Sequence, residues 1–200
     1  RKNVKRNYVA GARLRCYTAS RAVLQFFLCV VQSAILTLSY IGVSKIYDNE
    51  LPEEGVIWGN PLPEFFVSIL LLMYAADMMG LLISCLVKKE EAANVLAPYI
   101  LIVQLIFSGI LFVMEGLADK LSYVMISRWG MEALGSIARL NDLQLKIQME
   151  VPTVPHEFED RFDATSEHLL KVWAILIIFS LVFVLVGNLL LHRVSKDTRE

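Results

Sequence analysis

The sequence predicts an all-α fold: a polytopic transmembrane helix bundle of four spans plus an outer re-entrant or amphipathic helix. Two observations carry this. Four segments, residues 22–43, 65–87, 92–114 and 172–191, are long, apolar and almost free of charge. The charged residues are gathered in the flanks, which alternate between basic and acidic. Composition agrees: the 200 residues are 56% hydrophobic and 20% charged, with a mean hydropathy of +0.54. Soluble domains hold about 45–50% apolar residues. An ordinary soluble enzyme, a disordered tail and a disulfide-stapled secreted module are therefore excluded. A formal net charge of −1 leaves no global basic field for nucleic acid.

The elements follow in chain order. Residues 1–21 form a basic flank with some helical character, holding Arg1, Lys2, Lys5, Arg6, Arg13, Arg15 and Arg21 and no acid. Basic flanks stay cytoplasmic. This one either docks a cytoplasmic partner or only orients the chain. It opens on Arg1-Lys2-Asn3 without an initiator Met, as expected of a piece of a longer protein. Residues 22–43 carry no charge and exceed the about 20 residues that cross the hydrocarbon core. The next loop sets Lys45 against Asp48, Glu50, Glu53 and Glu54 and is placed outside. Residues 65–87 span with a single charge, Asp77, and the turn Lys88-Lys89-Glu90-Glu91 returns the chain inside.

Residues 92–114 form the third span, with Pro98 and Ser108-Gly109 as weak points. The outer segment 115–168 holds ten acids and five bases. Within it Leu117, Leu121, Val124, Met125, Trp129, Leu134 and Ile137 recur at helical spacing, with charges between them. This predicts a re-entrant or interfacial hairpin broken near Ser127, or else a small helix lying in an outer loop. Residues 143–167, with Pro152 and Pro155, are expected to be a solvated loop with a short cap. Residues 172–191 form the last and most aliphatic span, with Lys171 able to snorkel at its outer edge. The tail 192–200 brings Arg193, Lys196 and Arg199. Four spans with both termini cytoplasmic satisfy this alternation.

Chemistry-bearing motifs are few. Cys16, Cys29 and Cys85 avoid the outer loops, so no external disulfide is expected. The sequence lacks a phosphate loop, a His-Glu-x-x-His pair, a Cys-x-x-Cys pair and a Gly-x-Ser-x-Gly elbow. No catalytic residue, metal site or cofactor is therefore expected in this chain. Asp77 is the intramembrane polar residue. It serves proton relay or substrate contact, or is a structural carboxylate bonded between helices. Ala76, Gly80 and Ser84 form a small-residue stripe suited to close helix packing.

Three runs carry a family resemblance. They are Gly80-Leu-Leu-Ile-Ser-Cys-Leu-Val-Lys-Lys-Glu-Glu-Ala-Ala-Asn-Val-Leu-Ala-Pro98, Ile106-Phe-Ser-Gly-Ile-Leu-Phe112 and Ile126-Ser-Arg-Trp-Gly-Met-Glu-Ala-Leu134. In this order and spacing the chain resembles the membrane (permease) domain of G-type, white/pigment-precursor-like ABC transporters and their bacterial relatives. It is similar to the last four of that domain's six spans. The resemblance implies an ATP-driven exporter working as a dimer with a second membrane domain in the lipid bilayer of the plasma membrane. ATP and Mg would belong to an ABC ATPase on a missing N-terminal domain or a partner chain.

By the same resemblance Arg13, Tyr17, Ser20 and Arg21 match a coupling helix that rests on the ATPase. Lys5-Arg6-Asn7 departs from the acidic residue usual there. Lys88, Lys89, Glu90 and Glu91 are similar to the second inner loop near that partner. Ile102 and Leu105 fall at cavity positions, and Ile110 and Leu111 at those of an apolar plug that closes the cavity from outside. A cavity rich in Ile, Leu and Val suits an apolar or amphipathic substrate. Two alternatives stay open: a proton-coupled or ion-conducting protein using Asp77, and a non-transporting membrane scaffold presenting its acidic outer loop.

Overall fold

The computed structural model describes residues 14–47, 52, 54–87, 90–110, 116–150 and 158–196. Every regular element among them is helical: α1 (Leu14–Ile46), α2 (Pro61–Leu86), α3 (Glu90–Ile106), α4 (Leu117–Ser122), α5 (Ile126–Ile137), α6 (Leu140–Glu150), a 3-10 turn (Asp160–Phe162) and α7 (Ser166–Lys196). Among the described residues three segments are long and apolar enough to cross a membrane: Thr18–Ile46, Pro61–Leu86 and Ser166–Leu191. Their outer faces are dominated by exposed Phe27, Ile35, Leu38, Leu181, Leu185 and Leu189, the inverse of a soluble protein. In lipid those faces need no cover.

The bundle is built on α2, which packs against both α1 and α7. Trp173 of α7 is buried and donates its indole N–H to Ser68 Oγ of α2 at 2.8 Å. Asp77 Oδ2 of α2 accepts from Gln25 Nε2 of α1 at 2.6 Å and from the Cys29 thiol at 3.0 Å. Thr18 near the start of α1 bonds to Asn188 near the end of α7, so those two ends share one end of the bundle.

At the opposite end α2 begins sharply. Asn60 accepts from the Leu62 amide at 3.0 Å, and Pro61 occupies the first turn, where its missing N–H costs nothing. The Glu64 carboxylate, fully buried, gathers the amides of Val56, Ile57 and Trp58 at 2.8, 2.7 and 2.7 Å. That folds the preceding loop onto the helix and sets Trp58 against Trp173, with ring centroids 5.7 Å apart.

Several elements differ in extent from the sequence expectation. The third span ends at Ile106 rather than 114. Ser108 Oγ donates to the Leu105 carbonyl at 2.7 Å and accepts from the Ile110 amide at 3.2 Å, while Gly109 takes φ +81°. A hydroxyl that competes for the last carbonyls, followed by a left-handed residue, stops a helix. The amphipathic stretch breaks at Tyr123–Met125, close to Ser127 as expected. Residues 140–150 are helical as α6 where a loop was expected, and the prolines lie beyond it. Residues 14–21 continue into the first span as one unbroken helix.

The amphipathic α5 docks against α2 and α7, burying Ile126, Trp129, Ala133 and Ile137 beside Leu169, Val172 and Leu176. Gly130 makes the approach possible: a Cβ there would lie 2.5 Å from Leu72 Cδ1.

Candidate functional site

Two polar regions and one turn are set by helix geometry. At the end shared by Thr18 and Asn188, a groove of about 510 Å³ lies between α1, α2 and α3. Arg21, Gln25, Asp77, Gly80, Ser84 and Asn94 line it. Asp77 thus sits on a wall of the groove while Gln25 and Cys29 hold its carboxylate. Paired hydrogen bonds to one oxygen meet part of what a carboxylate loses on leaving water. Ala76, Gly80 and Ser84 are all exposed, and a Cβ added at Gly80 would meet nothing within 4 Å.

The turn after α3 is anchored by Gln104. Its side-chain Oε1 accepts the Ser127 amide at 3.0 Å, and its backbone carbonyl accepts the Ser127 hydroxyl. The end of α3 is thereby tied to the first turn of α5. Ile110, 57% exposed, follows Gly109 in this turn, and the Arg161 guanidinium lies close to Gly109. A side chain at 109 would be strained by its φ of +81° and would have to push the Arg161 guanidinium aside.

The second polar region lies at the opposite end of the bundle, beside the start of α7. Arg128 is 4% exposed and Glu132 6%, on one face of α5 at i,i+4 spacing. Arg128 Nη1 contacts Asp119 Oδ1 at 2.5 Å and also bonds to Ser122 Oγ, while its guanidinium lies 3.7 Å from the Tyr123 ring centroid. Trp129 Nε1 donates to the Tyr123 carbonyl at 2.9 Å, closing the α4–α5 corner. Glu132 Oε1 lies 3.3 Å from His168 Nε2 of α7, and that nitrogen also lies 3.1 Å from the Arg161 carbonyl. Glu132 Oε2 and Arg128 Nε, 3.7 Å apart, are both buried without a hydrogen-bond partner. Burial pushes the Glu132 carboxyl above its ordinary range, against the pull of His168, Arg128, Arg161 and Lys171.

The sequence-predicted residues distribute as follows. Ile102 and Leu105 are exposed, 54% and 50%, on α3, as are Tyr99 and Leu101. Ser20 and Arg21 lie on the exposed side of the first turns of α1, and Tyr17 lies in the same helix with its side chain outside the described set. Glu91 is exposed in the first turn of α3, which Glu90 opens. Arg13, Lys88, Lys89 and Leu111 lie outside the described residues. Among the described residues no group of His, Cys, Asp and Glu is arranged to hold a metal ion. Sequence reasoning missed Gln104, Glu64 and the Glu132–His168 contact. Arg128 and Glu132 at i,i+4 were visible as a pair, whereas nothing in the sequence joins His168 to them.

Long apolar helices around a few buried polar contacts define an integral membrane protein of the polytopic α-helical class. The chain belongs to the ABC-2 transporter family, described as ABC-2 family transporter protein, which matches residues 1–189. It is the membrane, permease-type component of such a transporter. It is 26% identical over 187 residues to the ABC transporter ATP-binding/permease protein Rv1747 of Mycobacterium tuberculosis (strain ATCC 25618 / H37Rv). That match covers 90% of this chain and 20% of the relative, so the chain spans about a fifth of the relative's length. No solved structure matches significantly.

Proposed function

We propose that this chain is the permease part of an ATP-driven exporter that moves an apolar or amphipathic substrate through a cavity at the interface with a second membrane domain. The exposed apolar surface of α3, with Ile102 and Leu105 at its centre, is the observation behind this reading. The stripe Ala76, Gly80 and Ser84 offers a further surface for a close-packed helix. The ATPase stands on the same polypeptide, as in the fused relative, or on a partner chain, and it binds ATP and Mg.

Coupling enters at the start of α1. Arg13, Tyr17, Ser20 and Arg21, with Lys88, Lys89, Glu90 and Glu91, face the ATPase from the cytoplasm. Because Leu14–Ile46 is one helix, a push on its first turns is transmitted as movement of a rod rather than lost in a hinge. Both termini are read as cytoplasmic from their basic flanks; the Thr18–Asn188 contact supports only that the two helix ends share one side. Ile110 and Leu111 form an apolar plug that excludes water until the two halves separate. Asp77 is held by Gln25 and Cys29, which favours a structural role over ion passage.

The test uses the full-length transporter in membranes. Ile102→Cys is expected to cross-link two copies, or two membrane domains of a pair, through a bis-maleimide. Leu185→Cys on the lipid-facing side of α7 is not. Cross-linking at Leu185→Cys alone would overturn the cavity assignment. Ile110→Ala with Leu111→Ala is expected to raise basal ATP hydrolysis severalfold while assembly is kept; unchanged hydrolysis and leak would remove the plug. Arg13→Glu with Arg21→Glu is expected to uncouple ATP hydrolysis from transport without inverting the topology.

A further inference from the structure

We propose that the groove between α1, α2 and α3 binds a single-chain phospholipid, with its phosphate at Arg21 and its free backbone hydroxyl on Asp77. The site needs only a chain that crosses a bilayer, so it does not rest on the exporter reading.

The groove is of ligand size: its volume of about 510 Å³ falls within the range of about 300–1,000 Å³ for small-molecule sites. Small residues make the room. Gly80, Ala93 and Ala97 line it, and a Cβ at Gly80 would meet nothing within 4 Å. Its polar groups are ordered along the helices. α1 starts at this end of the bundle, so Arg21 lies one turn nearer the end than Gln25, whose side-chain amide bonds Asp77 at 2.6 Å. Ser84, two turns past Asp77 on α2, and Asn94, in the second turn of α3, complete the mouth. Gln25 and the Cys29 thiol both donate to Asp77 Oδ2. A carboxylate has sites for about four donors, so a ligand hydroxyl in the groove finds an acceptor on Oδ1. Bonds to a charged acceptor are about twice as strong as neutral ones.

Charge and depth together select the ligand. The mouth holds a guanidinium, whose planar fork matches the oxygens of a phosphate. One turn deeper sits an acceptor that a hydroxyl can fill. Past both, the walls turn apolar: Leu28, one turn after Gln25 on α1, and Leu101, one turn after Ala97 on α3, are exposed. A molecule that is anionic at one end, donates a hydrogen at the next level and is apolar beyond is a glycerophospholipid with one chain removed. The missing chain is what leaves the hydroxyl. A two-chain lipid carries an ester there and has nothing to donate to Asp77, and a soluble phosphate ester has no tail to lie along Leu28 and Leu101.

The experiment follows lipids with a nitroxide on the chain, in phosphatidylcholine nanodiscs that carry the full-length transporter. The probes are lysophosphatidate, its analogue lacking the backbone hydroxyl, and two-chain phosphatidate. The immobilised fraction of each spectrum gives its relative association. Lysophosphatidate is expected to associate about tenfold more strongly than the analogue, the worth of one hydrogen bond to a charged group. The two share charge and chain, so general attraction to the basic flank cancels. Two-chain phosphatidate is expected to associate no better than the analogue. Asp77→Asn leaves a neutral partner for the hydroxyl and is expected to cut the preference to about threefold or less. Arg21→Gln weakens both single-chain probes together and keeps their ratio. Gly80→Leu fills the groove at an exposed position without a clash, so the preference is expected to vanish while ellipticity stays at the wild-type value. Equal association of the two single-chain probes with wild type overturns the proposal, as does a preference that survives Gly80→Leu. Displacement of lysophosphatidate by glycerol phosphate also overturns it, by assigning the groove to soluble phosphate esters. None of these readouts depends on transport. A protein that shows the preference but no ATP-driven export would sink the exporter reading alone.

Discussion

Glu64 offers the sharpest test of how the bundle is held at the end where α2 begins. Its carboxylate is fully buried and accepts three amides, from Val56, Ile57 and Trp58. Oε1 takes two of them and Oε2 the third. In Glu64→Gln one oxygen remains and can keep the pair at Ile57 and Trp58. The new NH2 then faces the Val56 N–H, donor against donor. One charge-assisted bond is lost, worth about 1.5–3 kcal/mol, and the surviving pair is weakened by loss of charge. The isosteric variant is expected to cost about 2–3 kcal/mol. Glu64→Ala removes all three acceptors and leaves a void under Gly55, so a cost of about 4–5 kcal/mol is expected. Gly55 cannot compensate, because even a Cβ there would lie 2.2 Å from the Trp58 carbonyl oxygen. Denaturation of the full-length protein in bicelles, followed by ellipticity, measures both. A Glu64→Gln variant within about 0.5 kcal/mol of wild type would show that water reaches these amides and that the cap is not a dry carboxylate site.

Three further outcomes are expected. Asp77→Asn should retain transport, because Gln25 and the Cys29 thiol still meet an amide oxygen; a well-folded but inactive Asn variant, read by substrate efflux, would assign Asp77 to the transport step. Ser68→Ala strands the buried Trp173 indole N–H and should cost about 1–3 kcal/mol in the same unfolding assay, whereas Trp173→Phe with Ser68→Ala should recover part of that loss. Glu132 makes stability pH-dependent with a defined sign. Its carboxyl is raised from 4.5, so its stabilising share is complete below that value and is lost as pH rises through the folded-state value. Unfolding measured across that interval should lose this slope in Glu132→Gln.

Much of the architecture was legible because membrane insertion reads local composition. Residues 22–43, 65–87 and 172–191 are apolar enough to declare themselves without any knowledge of neighbours, and each matches a long helix, the second to within one residue. The amphipathic character of 126–137 was likewise visible in its period. The end of the third helix was less so. Hydropathy continues through Phe107 and Ile110, but the Ser108 hydroxyl and the φ of Gly109 end the helix at Ile106. Local hydrogen-bond competition outweighs a composition signal there. The family resemblance read from three short runs agrees with the family match over residues 1–189.

By itself, then, the sequence determined which stretches form long apolar helices, in what order, and which stretch between them is amphipathic, since those properties depend on runs of neighbouring residues. Only tertiary structure decided which polar groups meet. Gln25 with Asp77, Ser68 with Trp173, Gln104 with Ser127 and Glu132 with His168 are separated by 23 to 105 positions, and their pairing depends on helix rotation and depth. Hydropathy carries no information about rotation. In a medium that offers no hydrogen bonds, those few pairings fix it, because each misaligned partner would be left unsatisfied in the dry interior.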